Sequence, residues 1–153
     1  MSEDLRKEEF IYDALPLISS RLQTLADSHC YKLSSKQFRL LKQINEINSP
    51  LSLHEIAQWM GSSRQNITKM LKNLEALGYV RVEPSVYDKR STSVTISSKG
   101  RRYLNAQKES YEEFLRLLFT DFSQSELHTI VKFISQFSNR IDELFETSEI
   151  EHE

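Results

Sequence analysis

The stretch SLHEIAQWMGSSRQNITKMLKNLEALGYVRVEPSVYDKRSTSVTISSKG, Ser52 to Gly100, decides the fold. Its first part holds two short segments of helical periodicity. Leu53, Ile56 and Met60 share one face of the first, and Ile67, Met70, Leu71, Leu74 and Leu77 form a stripe along the second. Gly61 between them permits a sharp change of direction, and the small Ala57 lets the two helices approach closely. Two runs of period-two alternation follow, Val80 with Val82 and then Val94 with Ile96, and Pro84 marks the exit from the first. Two helices joined by a turn and followed by a hairpin are the order of a winged helix-turn-helix.

Working outward, the periodicity predicts helices over Leu5 to His29, Lys36 to Ile47, Leu53 to Met60, Arg64 to Leu77, Lys99 to Phe119 and Gln124 to Phe145. The strands are expected at Tyr79 to Glu83 and Ser93 to Ser97. Three capping boxes, Ser34 to Gln37, Ser52 to Glu55 and Ser123 to Glu126, place three of the helix starts. Gly61, Gly78 and Gly100 are the only glycines; the first two stand where a helical pattern stops and the third opens the C-terminal half. Pro16 removes a hydrogen bond from the first helix, so a kink or a break between two helical pieces is expected there. The fold class is mainly α with a small β-hairpin wing. The expected organisation is an N-terminal dimerisation helix (1–33), a winged helix-turn-helix (34–100), C-terminal dimerisation helices (101–146) and an acidic frayed tail (147–153).

With 153 residues, 39% of them hydrophobic, the chain suffices for one compact unit or a small domain with an assembly element. It has no apolar run of membrane-spanning length and no basic-then-apolar leader at Met1-Ser2-Glu3-Asp4-Leu5-Arg6, so a soluble cytoplasmic protein without membrane contact is expected. Cys30 is the single cysteine, which excludes an internal disulfide; it reads as a small, part-buried side chain near a helix end or as a redox-sensing thiol. His29, His54, His128 and His152 are scattered without ligand spacing, so no metal and no cofactor is expected. No glycine-rich phosphate loop, Cys-His pair or close carboxylate dyad emerges, and the chain reads as a non-enzyme.

The net charge of −2 conceals a division along the chain. Ser62 to Arg102 carries nine basic residues against three acidic, whereas Tyr103 onward carries four basic against eleven acidic. A basic middle attracts phosphates and an acidic end is repelled by them. In the second short helix, Arg64, Gln65, Thr68, Lys69 and Lys72 lie away from the apolar stripe, and Ser63 caps the start, leaving first-turn amides at the positive dipole end. Arg64, Gln65 and Asn66 suit base edges, because Arg pairs with guanine and Gln or Asn with adenine; Lys69 and Lys72 suit phosphates. The hairpin tip carries Asp88, Lys89, Arg90 and Ser91. Arg90 is the candidate for a minor groove, and Asp88 would pin the hairpin or orient Arg90 by a charge-assisted hydrogen bond. Double-stranded DNA is the expected partner. The alternative is a winged-helix interaction module whose basic face binds an acidic partner protein.

Two further stripes bear on assembly. Ile11, Leu15, Ile18, Leu22 and Leu25 recur at steps of four and three in the first helix, as do Leu127, Ile130, Ile134, Phe137, Ile141 and Leu144 in the last. A chain of this size has difficulty covering both, so a homodimer with Ile11, Leu15, Ile18, Leu127, Ile134, Phe137 and Ile141 at its interface is expected; packing of the first helix on the last within one chain is the alternative.

Leu53 to Gly61, Ser63 to Thr68, Leu74 to Val80, Asp88-Lys89-Arg90-Ser91 and Val94 to Gly100 together resemble the MarR family of transcriptional regulators, over about Leu33 to Phe145. The Asp-x-Arg wing with the following β-run and the Lys-Gly helix entrance is the most specific part. The resemblance implies a dimer of intertwined terminal helices, two lobes on a pseudo-palindromic operator and wing roles for Asp88 and Arg90; a repressor is the expected role, with an activator as the alternative. It also implies a small, often anionic or phenolic effector between the dimerisation helices and the DNA lobe. Tyr12, Phe38, Tyr111 and Phe114 are the aromatic candidates for that pocket, each also readable as core.

Overall fold

The computed structural model describes residues 3–29, 32–85 and 92–150. Its elements are α1 (Glu3–Ser28), α2 (Ser35–Ile47), β1 (Leu51–Ser52), α3 (Leu53–Met60), α4 (Arg64–Ala76), β2 (Val80–Pro84), β3 (Thr92–Ile96), α5 (Ser98–Leu118) and α6 (Gln124–Ile150). Contacts divide the chain into one unit ending at Ser110 and a second beginning at Tyr111. Cys30 and the wing residues Asp88, Lys89, Arg90 and Ser91 lie outside the described residues.

The first unit closes around Leu40, Leu41, Ile44, Ile56, Ile67, Leu74 and Val94, all almost wholly buried. These side chains come from α2, α3, α4 and β3, so each helix turns its apolar stripe to one shared core; burying a Leu or Ile of this kind stabilises by about 1.5–3 kcal/mol. β2 and β3 pair antiparallel with Val80 opposite Ile96 and Val82 opposite Val94, the register that places all four on the core side. The short β1, absent from the sequence reading, adds to the other edge of β3 through Leu51 opposite Val94, giving the order β1-β3-β2.

All three capping boxes are formed. Ser34 and Gln37, Ser52 and Glu55, and Ser123 and Glu126 each exchange backbone N–H for side-chain oxygen in both directions. At the other helix ends, Asn48, Gly61 and Gly78 take left-handed conformations, with φ of 50°, 56° and 75°. Behind Gly78 the Tyr79 N–H donates to Leu74 O and the Gly78 N–H to Glu75 O, the bonds that terminate α4.

Gly100 has another role. It lies buried in the first turn of α5, where an added Cβ would overlap the Tyr79 carbonyl and Ile96, so it lets the helix seat directly on the strand entrance. Around it, Ser97 Oγ donates to Gly78 O at 2.6 Å and accepts from the Gly100 N–H at 3.0 Å. Lys99 Nζ reaches Leu77 O at 2.6 Å and lies 5.5 Å from the centroid of the Tyr79 ring, which stacks on Tyr103 at 4.6 Å.

Pro16 does not divide the first helix: α1 is a single element through it, at the cost of the N–H that would reach the Tyr12 carbonyl. α1 is tied to α2 by Asp27, which accepts from the Ser35 N–H at 2.6 Å and from Gln23 Nε2 at 3.0 Å. The Gln23 hydrogen bond, and after it the Ser35 amide, hold the Asp27 carboxyl below its ordinary range. In the second unit, α6 continues to Ile150, beyond the start of the segment read as a tail. Among the described residues no helix is long and apolar enough to cross a membrane.

Candidate nucleic-acid interface

The interface is built on α4. Ile67, Leu71 and Leu74 are buried on one side, which fixes the rotation of the helix and leaves Arg64, Gln65, Asn66, Lys69 and Lys72 exposed on the other. Arg64, Gln65, Thr68, Lys69 and Lys72 line one shallow surface concavity. Ser63 stands at the N-cap in extended conformation and its side chain accepts from the Asn66 N–H at 3.3 Å. Thr68 Oγ1 donates to Arg64 O at 2.8 Å, which occupies its hydrogen and leaves its oxygen able to accept. The start of the helix therefore offers amides, a guanidinium, two carboxamides and two ammonium groups on one face.

Arg64 is held by a histidine that the sequence reading counts only among four scattered ones. Its Nη2 lies 3.1 Å from Nδ1 of His54, on α3. For that hydrogen bond the imidazole must be neutral, with Nδ1 accepting and Nε2 carrying the proton. The contact crosses the helix-turn-helix and limits the rotamers of Arg64 before any ligand arrives.

Not every cation of the basic segment belongs to this face. Lys99 is engaged with the end of α4, and Arg101 donates to Asn45 Oδ1 at 3.0 Å and to Asn48 Oδ1 at 2.8 Å. Arg101 thereby joins α5 to the end of α2, where a cation also meets the negative end of the helix dipole. Asn48 and Arg101 were missed as a pair in sequence because 53 residues separate them.

The remaining expected site residues stand as follows. Tyr12 is 74% exposed on α1, and Phe38 packs against the core of the first unit. Tyr111 and Phe114 are half-buried in the second unit. Ile11, Ile18, Ile134 and Ile141 are exposed, while Leu15, Leu127 and Phe137 are half-buried, Phe137 stacking on Phe133 at 5.4 Å. Among the described residues no group of three His, Cys, Asp or Glu is placed to hold a metal.

The MarR family model matches residues 31–91, the segment that contains α2, α3, α4 and β2. The transcriptional regulator TcaR of Staphylococcus aureus is 24% identical over 136 residues, covering 88% of this chain and 87% of that protein. The chain is similar to the MarR family over this segment. The similar proteins are named as transcriptional regulators, the class that the sequence reading expects. The winged-helix fold is shared with the regulator BldR of Sulfolobus solfataricus, at TM-score 0.82 and 21% identity over 92% of this chain and 99% of that one. It is also shared with a cysteine-to-serine mutant of MarR from E. coli, solved in complex with operator DNA, at TM-score 0.75 and 16% identity over 89% and 99% of the two chains.

Proposed function

We propose that the chain is a MarR family transcriptional regulator that binds a pseudo-palindromic operator as a homodimer, acting as a repressor whose grip on DNA is set by a small-molecule effector. The observation that carries the reading is the exposed face of α4: an N-capped helix start with Arg64, Gln65, Asn66, Lys69 and Lys72 directed away from a fully buried stripe. The operator complex of the structurally similar MarR supports it. In this reading α4 enters the major groove. Arg64, steadied by His54, and Gln65 and Asn66 address base edges, with Thr68 beside them, while Lys69, Lys72 and the amides behind Ser63 hold phosphates. Arg90, with Asp88, Lys89 and Ser91 at the hairpin tip, serves the neighbouring minor groove.

Pairing of two copies rests on the apolar faces of α1 and α6. Ile18 is 57% exposed and Ile134 56%, an expense in water that a second copy removes. An effector that prefers one spacing of the two recognition helices then shifts the population toward or away from the operator-competent form.

Selection of bound sequences from a random duplex pool tests the whole reading, and a symmetric site is the expected return. On that site Arg64→Ala should cost about 1–3 kcal/mol and relax preference at one position, whereas Lys72→Ala should weaken all sequences alike and reduce the salt slope by about 1. Arg90→Ala should weaken binding in a mobility shift. Absence of duplex binding at low salt overturns the reading in favour of a basic face for an acidic protein.

A further inference from the structure

Arg64 opens α4, and the apolar stripe that fixes the rotation of the helix does nothing for the torsions of this exposed side chain. A free arginine loses its rotamer freedom on meeting a base edge, and a mobile one adapts to more than one base. One contact supplies restraint: Nη2 of Arg64 lies 3.1 Å from Nδ1 of His54, across the turn between α3 and α4. That restraint has a chemical condition. An imidazole nitrogen accepts from a guanidinium only while it carries no proton; once protonated, Nδ1 becomes a donor and the ring a cation facing another cation.

The charges around His54 do not lift this condition. Lys69 and Lys72 of α4 line the same concavity as Arg64, and the Glu75 carboxylate accepts from the Val82 N–H at 3.3 Å. On α3 itself Glu55 is within electrostatic reach of His54, and its carboxylate accepts from the Ser52 N–H at 2.7 Å. β1 and β3, which also pack on α3, carry no ionisable side chain, and α2 approaches α3 with Leu40, Gln43, Ile44 and Ile47. Among the described residues no carboxylate bridges the ring and the guanidinium.

We propose that His54 is the positioning residue that sets specificity at the base met by Arg64: neutral, it holds the guanidinium for one base edge; protonated, it lets the guanidinium go. The proposal rests on the duplex reading above. It goes further in tying discrimination, and not affinity as such, to one proton, because the charge gained on His54 strengthens attraction to phosphates on every sequence.

The test uses the full chain, the preferred duplex returned by the random pool, and the same duplex changed at the base whose preference Arg64→Ala relaxes. The ratio of the two dissociation constants should fall about threefold to tenfold between about pH 8 and about pH 5, the worth of one net hydrogen bond over the range in which imidazole charges, while binding to unrelated duplex does not weaken. His54→Asn places an amide oxygen one bond from Cγ, where Nδ1 stood, so the ratio should stay high and lose its pH dependence. His54→Ala should give the low ratio at every pH. In the Arg64→Ala background the identity of residue 54 should no longer matter. Four results overturn the proposal and leave the duplex reading standing: an Arg64→Ala variant that relaxes no base, a ratio flat with pH in the parent, a ratio still pH-dependent in His54→Asn, or His54→Ala equal to the parent at about pH 8. A pool that returns no preferred duplex overturns the duplex reading, and this proposal falls with it.

Discussion

α4 and α6 carry the same kind of apolar stripe and meet opposite fates within one chain. In α4, Ile67, Leu71 and Leu74 are 0%, 4% and 0% exposed; in α6, Ile134, Ile141 and Leu144 are 56%, 39% and 53% exposed. Helical periodicity states which face needs cover and is silent about what covers it. α4 is covered by α2, α3 and the sheet of its own unit. α6 has no buried side chain between residues 124 and 147, and the homodimer proposed above supplies the cover.

The sharpest way to break the contrast is to charge α6. Ile134→Asp with Ile141→Asp should abolish self-association, since unpaired carboxylates in an apolar interface cost on the order of several kcal/mol each. Sedimentation velocity at micromolar concentration reads the result; an unchanged mass would remove α6 from the interface. Leu74→Ala, on the covered stripe, should lower stability by about 2–5 kcal/mol in denaturant unfolding, whereas Leu144→Ala should cost far less once self-association is excluded. Gly100→Ala should cost about 1–3 kcal/mol, because the methyl group meets the Tyr79 backbone and cannot be accommodated by a side-chain rotation. The smallest effect concerns Asp27. Its carboxyl is depressed in the folded state, so its contribution is complete above the unfolded value of about 3.8 and is lost as pH falls through the folded one. Asp27→Asn should flatten the loss of thermal stability below about pH 4 without altering α4, and an acid limb identical to the parent's would detach Asp27 from the α1 to α2 link.

Local signals were readable because they act over three or four residues. All three capping boxes, the stops at Gly61 and Gly78, and the hairpin faces of Val80, Val82, Val94 and Ile96 follow from neighbours in sequence. β1 is not legible in sequence: two residues give no period, and Ser52 reads as the cap of α3, a role it performs while also pairing with Ser93. Gly100 shows a second limit, since a glycine kept for close approach looks in sequence like one kept for a turn. At the interface, the outward residues of α4 were legible from the stripe they oppose. The His54 to Arg64 contact was not, because it depends on the angle at which α3 and α4 cross.

The anchoring of α5 has a consequence for ion counting. Lys99 spends its ammonium on the Leu77 carbonyl and Arg101 its guanidinium on Asn45 and Asn48. Each phosphate neutralised on duplex DNA releases condensed counterions and adds roughly 0.9 to the slope of log affinity against log salt. Two of the nine cations between Ser62 and Arg102 are thus stitches in the scaffold, and the electrolyte dependence of the proposed duplex binding will be shallower than the linear charge map suggests.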